Sequence, residues 1–119
     1  MKISKSCMTL ILLTAIATPL WAHHSAAQFD FSQSVAIEGT VKVIEVRNPH
    51  VKLILEVSDA AGTRDIEYEG HSRNNVFRRG WRPEHISVGD EITIGIAPTR
   101  TGEDGGYVTS FTLADGTSF

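Results

Sequence analysis

Val51, Leu53, Leu55 and Val57 are apolar at every second position, a spacing that puts four side chains on one face of an extended chain. Such a strand must bury that face, and the sequence supplies partners at regular intervals. Val35, Ile37, Gly39, Val41 and Val43 share one face, after which the phase switches to Ile44 and Val46. The switch predicts a bulge or a sharp bend. Ile66 and Tyr68 mark a third strand, Ile92, Ile94 and Ile96 a fourth, and Tyr107, Thr109, Phe111 and Leu113 a fifth. Turn chemistry separates them: "RNPH" at 47–50, "DAAG" at 59–62, the glycine-rich tip "TGEDGG" at 101–106, read as mobile, and an Asp-Gly turn in "LADGTSF". Ser72 is placed to cap a short helix running through Arg79, which Gly80 stops. Three strands, a helical connection and two strands predict an all-β domain, a small OB-type five-stranded barrel with one short helix between strands three and four. A small β-sandwich is the alternative, because periodicity assigns faces and leaves strand pairing open.

The start of the chain has a different character. Lys2 and Lys5 precede an apolar run from Met8 to Ala17, and Pro19 breaks it shortly before Ala22. This order predicts a secretory signal peptide over 1–22, cut near Ala22, and a location in the periplasm or outside the cell. The run is shorter than the ~20 residues a membrane-spanning helix needs, and no other segment comes closer. The expected organisation is therefore a signal peptide at 1–22, an arm at 23–33 anchored by Phe29 and Phe31, and a barrel domain at 34–119. Cys7 leaves with the signal, so disulfides, thiolate metal sites and cysteine catalysis are excluded from the processed chain. Loss of Lys2 and Lys5 leaves 9 basic residues against 14 acidic ones. That balance argues against nucleic acid and anionic membrane surfaces as partners.

Processing would also create a ligand. Cleavage after Ala22 gives His23 a free amine beside its own imidazole, and the amine and Nδ1 can close a chelate on one metal ion. A third nitrogen from His24, His50, His71 or His85 would complete a set suited to Cu(II), which favours nitrogen donors in a tetragonal arrangement. A cut one residue earlier gives Ala22-His23-His24, another copper-chelating start. The competing reading is a polar, solvated end with no ligand. His50 is the favoured partner from the folded domain, since Pro49 stiffens its turn. His71 is read as a helix cap and His85 as part of an exposed turn. Glu67 and Glu69 alternate with Ile66 and Tyr68, so both carboxylates share the outer face of a strand, either as a solvated pair or as metal or proton ligands.

The basic residues cluster in "SRNNVFRRGWR" at 72–82. Phe77, Arg78, Arg79, Trp81 and Arg82 form a candidate partner-binding groove, since aromatics beside cations can stack on a ligand. The reading preferred over ligand stacking makes Trp81 and Phe77 plugs at the helix-barrel junction, with the arginines pairing acidic surface groups. Hydrolytic machinery is not evident: "GHS" at 70–72 lacks the spacing of a nucleophile elbow, and the 101–106 tip lacks the ending of a phosphate loop. A copper-dependent oxidase is the least favoured reading, because the sequence offers no aromatic platform for a substrate. The reading adopted is a small periplasmic binding module, using copper or another divalent ion at the processed histidine. A partner-binding barrel using the Trp81 and arginine groove without metal is the alternative.

Several segments together resemble a family of small exported bacterial proteins of unknown function. They are "HHSAAQFD" at 23–30, "NPH" at 48–50, "RRGW" at 78–81, "VGDEITI" at 88–94 and "LADGTSF" at 113–119. The resemblance implies export and a compact β domain, and it transfers no activity or site. Members commonly carry an aromatic residue after "HHS", where this chain has Ala26.

Overall fold

A computed structural model describes residues 26–119, so the expected signal peptide and both His23 and His24 lie outside the described residues. The elements are β1 (Val35–Glu45), β2 (Lys52–Asp59), β3 (Gly62–Gly70), α1 (Arg73–Arg78), a 3-10 turn (Pro83–His85), β4 (Glu91–Pro98) and β5 (Gly106–Thr112). The strands close in the order β1-β2-β3-β5-β4, with β4 pairing back onto β1. All pairs are antiparallel except β3 with β5, which run parallel. This is the predicted OB-type barrel, and its closure rules out the sandwich.

The phase switch in β1 is a bulge. Pairing to β2 jumps between Val41 and Val43, which leaves Lys42 unpaired in the ladder and turned outward to Glu56, at 3.0 Å. The bent strand serves two neighbours, β2 along its second half and β4 along its first. Gly39 sits where these meet. A Cβ there would lie 2.8 Å from the Glu56 carbonyl oxygen, so the close approach of β1 to β2 requires glycine.

The alternation from Val51 through β2 holds without exception: Val51, Leu53, Leu55 and Val57 are buried and join Ile66, Tyr68, Ile92, Ile94 and Ile96 in one core. The fifth strand departs from its predicted phase. Register jumps between Gly95 and Ile96, so Thr109 is an extra residue on β5. Val108 and Phe111 therefore point inward, while Tyr107 and Thr109 are only partly buried. The Thr109 hydroxyl donates to the Gly95 carbonyl at 3.1 Å, which gives the displaced side chain a local partner.

Helix α1 follows its sequence signals. The Ser72 hydroxyl accepts from the Asn75 amide at 3.3 Å, and Gly80 leaves the helix at φ +98°. Val76 points into the core, and Trp81 and Ile86 follow it to plug the end of the barrel. The chain end returns as expected from its Asp-Gly turn, with Phe119 and Phe111 exchanging backbone hydrogen bonds at 2.9 and 3.1 Å. The glycine-rich tip is tied down. Arg64 Nε and Nη2 donate to both oxygens of Asp104, at 2.6 and 2.7 Å, and its Nη1 reaches Asp59 at 2.8 Å. The β2-β3 turn and the β4-β5 tip are thus linked through one guanidinium.

Candidate functional site

His50 leaves the turn through the cis Asn48-Pro49 peptide bond. Beyond it, Val51 donates to the His71 carbonyl at 3.0 Å and Gly70 donates to the Val51 carbonyl at 2.9 Å. These bonds extend the β2-β3 ladder and bring His50 beside the Glu69–His71 end of β3. There the Glu69 carboxylate hydrogen-bonds His50 Nδ1, with both side chains about a third exposed or less. A carboxylate accepting from Nδ1–H leaves Nε2 with its lone pair, the arrangement that prepares a histidine to ligate metal.

Glu69 is also the register partner of Tyr107 across the parallel β3-β5 pair. Tyr107 places its hydroxyl 3.2 Å from His71 Nδ1, with the two rings edge-on at 5.1 Å. Burial lowers the His71 pKa, helped by the nearby positive charge of Arg79 and by His50, while burial and the Glu69 charge raise that of Tyr107. Both groups are therefore held neutral, and the phenol, the stronger acid, donates to the imidazole. The consequence separates the two histidines. With Tyr107 as the donor, His71 gives its Nδ1 lone pair to the phenol and carries its proton on Nε2, whereas a Glu69 carboxylate accepting from His50 Nδ1 leaves Nε2 as that ring's ligating nitrogen.

The arm reaches the same face. Gln28 and Asp30 bracket a short ladder with the end of β4: Arg100 donates to the Gln28 carbonyl at 2.9 Å, and Asp30 donates to that of Pro98 at 2.8 Å. Phe29 is buried, and it meets Tyr107 at 5.6 Å between ring centroids; Phe31 meets the same ring at 5.3 Å. Both aromatics anchor the arm, although Phe31 remains half exposed. The segment following His23 and His24 is thus seated on Tyr107, whose hydroxyl contacts His71 and whose register partner holds His50.

Other predicted positions separate from this cluster. Glu67 pairs with Lys52 at 3.1 Å, so the two outer carboxylates of β3 have different partners. Ser72, and not His71, caps α1. His85 is also more than an exposed turn residue: its Nδ1 accepts from the Arg82 amide at 2.9 Å and its ring stacks on Phe119 at 4.7 Å. Among the described residues no group of three or more His, Cys, Asp or Glu side chains is placed to hold a metal ion.

The arginine segment forms a second face. Trp81 is buried with its Nε1 lacking a hydrogen-bond partner among the described residues, and Phe77 stacks on it at 5.9 Å. Arg73 and Arg82 lie over the Phe77 ring at 4.9 and 5.1 Å. The arginines expected to pair acidic groups bond carbonyls instead: Arg79 reaches that of Thr109 at 2.7 Å, and Arg82 reaches those of Phe77 and Trp81 at 2.9 and 2.6 Å. A cleft of about 430 Å³, lined by Glu38, Thr40, Glu56, Glu91, Thr93 and Thr112 among others, includes none of the histidines.

Glu69 and Tyr107 are the residues whose importance the linear sequence hides. Glu69 was legible only as one of an outer carboxylate pair and Tyr107 only as a strand aromatic, since no local pattern announces a partner 19 or 36 residues away.

The fold and this face define a small OB-type barrel with an N-terminal arm docked on Tyr107, the register partner of the Glu69 that holds His50. The chain belongs to a family of unknown function, DUF6152, which it matches over residues 11–109. No curated protein matches it. Among the described residues no helix is long and apolar enough to cross a membrane.

Proposed function

We propose that the protein is an exported binding module that holds Cu(II), or a similar divalent ion, between its processed N-terminus and His50. The observation that carries this reading is the Glu69 carboxylate on His50 Nδ1, which leaves Nε2 as the ligating nitrogen, with Glu69 in register with the Tyr107 on which the arm docks. The Phe29 and Phe31 contacts with Tyr107 support it by limiting where the preceding residues can go. His23 is three positions before Ala26, so its reach from that residue is about 10 Å at most. With the amine and Nδ1 of His23 closing a chelate, His50 Nε2 would supply the third nitrogen and His24 a further candidate. The periplasm, or the medium outside the cell, is the compartment this reading requires.

Ligation needs an unprotonated amine and imidazole, whose ordinary pKa values are about 7.7–8.0 and about 6.5, so affinity falls as pH drops through that range. The test starts from secreted protein whose first residue has been established by mass spectrometry. Titration with Cu(II) against a competing chelator should show tight binding to the wild type, its loss in His23→Ala and a weaker complex in His50→Ala. Equal affinity in the wild type and His23→Ala would overturn the proposal.

A further inference from the structure

Charge is unevenly matched over this barrel. Four cations in the strands and the β1-β2 turn have carboxylate partners: Lys42 with Glu56, Arg47 with Glu45, Lys52 with Glu67, and Arg64 with Asp59 and Asp104. Arg73, Arg78, Arg79 and Arg82 have none among the described residues, nor has Arg100, whose guanidinium donates to the Ala27 carbonyl at 3.1 Å, although the chain carries 14 acidic residues. The four from Arg73 to Arg82 are exposed. Arg73 also occupies the first turn of α1, which contains no acidic residue, and a cation there is disfavoured by the helix dipole.

The arrangement of these side chains narrows the ligand. Arg73 and Arg82 lie on the half-buried Phe77 ring, which itself rests on Trp81, so two guanidinium groups are held around an apolar surface. Planar guanidiniums match carboxylates two bonds at a time, and the partly exposed Phe77 beneath them gives an apolar side chain an edge to pack against. The cavity beside Arg79, lined by Val76, Val108 and Phe119 among others, is about 10 Å³, far too small to enclose a metabolite. We propose that the outer face of α1 and its following turn, Arg73 to Arg82, is a docking surface for an acidic polypeptide segment with apolar residues among its carboxylates. This surface is independent of the metal reading.

The test uses the processed protein and a fluorescent peptide of alternating glutamate and phenylalanine, with an isosteric glutamine-phenylalanine peptide as its neutral counterpart. Fluorescence anisotropy should show the acidic peptide binding at least about tenfold more tightly, with affinity falling as salt is added. The double variant Arg73→Gln/Arg78→Gln removes two guanidiniums that make no hydrogen bond or ion pair with other described residues. It should keep the far-ultraviolet circular dichroism of the wild type and lose about tenfold in affinity, as expected for two exposed charge contacts. Arg47→Gln, which removes a cation already paired with Glu45, should leave binding unchanged. Phe77→Leu should weaken binding with its salt dependence intact. The proposal is overturned if the two peptides bind alike, if the double variant and Arg47→Gln behave alike, or if anionic phospholipid vesicles or a sulfated polysaccharide are preferred to the acidic peptide.

Discussion

The Tyr107 hydroxyl lies 3.2 Å from His71 Nδ1, and it joins the arm-docking surface to the histidine face of the barrel. The same ring touches Phe29 and Phe31, so one side chain serves both. Burial favours the neutral imidazole in this pair, which makes the contribution of His71 to stability sensitive to acid.

The first prediction concerns that sensitivity. Burial, with Arg79 and His50, lowers the His71 pKa in the folded chain below its ordinary 6.5. Above that value both folded and unfolded chains carry neutral His71, and its contribution to stability is complete. As pH falls below it, the unfolded chain takes up the proton first, so stability declines until the lower folded-state pKa is passed. Urea unfolding between about pH 7.5 and about pH 5 should show this decline, and His71→Gln should flatten it. An identical slope in the variant would assign the decline to another group.

Glu69→Gln tests the support of His50. The amide can no longer hold an ionic hydrogen bond to Nδ1, so the ring loses its fixed orientation and some basicity. Cu(II) affinity is expected to fall about 10- to 100-fold, the usual effect of removing a carboxylate behind a ligating histidine. Competition with a chelator measures it, and matched circular dichroism spectra separate it from unfolding.

Arg64→Ala should release the tip at 101–106. Its guanidinium bonds hold the Asp59 and Asp104 carboxyls below the usual carboxylate range. Their contribution is therefore present above the unfolded carboxylate pKa and is lost as pH falls through the lowered folded values. These groups are exposed, so the global effect is small and the local one decides. Hydrogen exchange at Asp104 and Gly105 should accelerate in the variant while the core strands keep their protection.

Gly39→Ala should destabilise the barrel by roughly 1–3 kcal/mol, because β1 must move away from β2 to accommodate the new carbon. The contacts at issue are the Glu56 carbonyl oxygen at 2.8 Å and Leu55 Cβ at 3.1 Å. A urea midpoint equal to that of the wild type would mean that the bend absorbs a methyl group without strain.

Much of the frame can be read along the chain, since strand period, turn chemistry and helix caps act between near neighbours. Leu53 and Leu55 announce the core by alternation, Ile44 announces the bulge by breaking it, and Ser72 and Gly80 bound α1. Thr109 shows the limit. Its bulge follows from fitting β5 beside β4 while β3 lies on its other side, and no local residue pattern encodes that constraint.

The candidate site is less legible for the same reason. Local spacing singled out His50, and it marked Phe29 and Phe31 as anchors, because a histidine after proline and aromatics in a polar arm stand out by themselves. Sequence by itself determined five strands, the core faces of β2, β3 and β4, one capped helix and a family membership spanning residues 11–109. Only the closed barrel decided that His50 meets Glu69, that Tyr107 meets His71 and that Arg64 meets Asp104, pairs separated by 19, 36 and 40 residues. Side-chain periodicity is a property of each strand alone. Which strands become neighbours is settled by burying all five apolar faces at once.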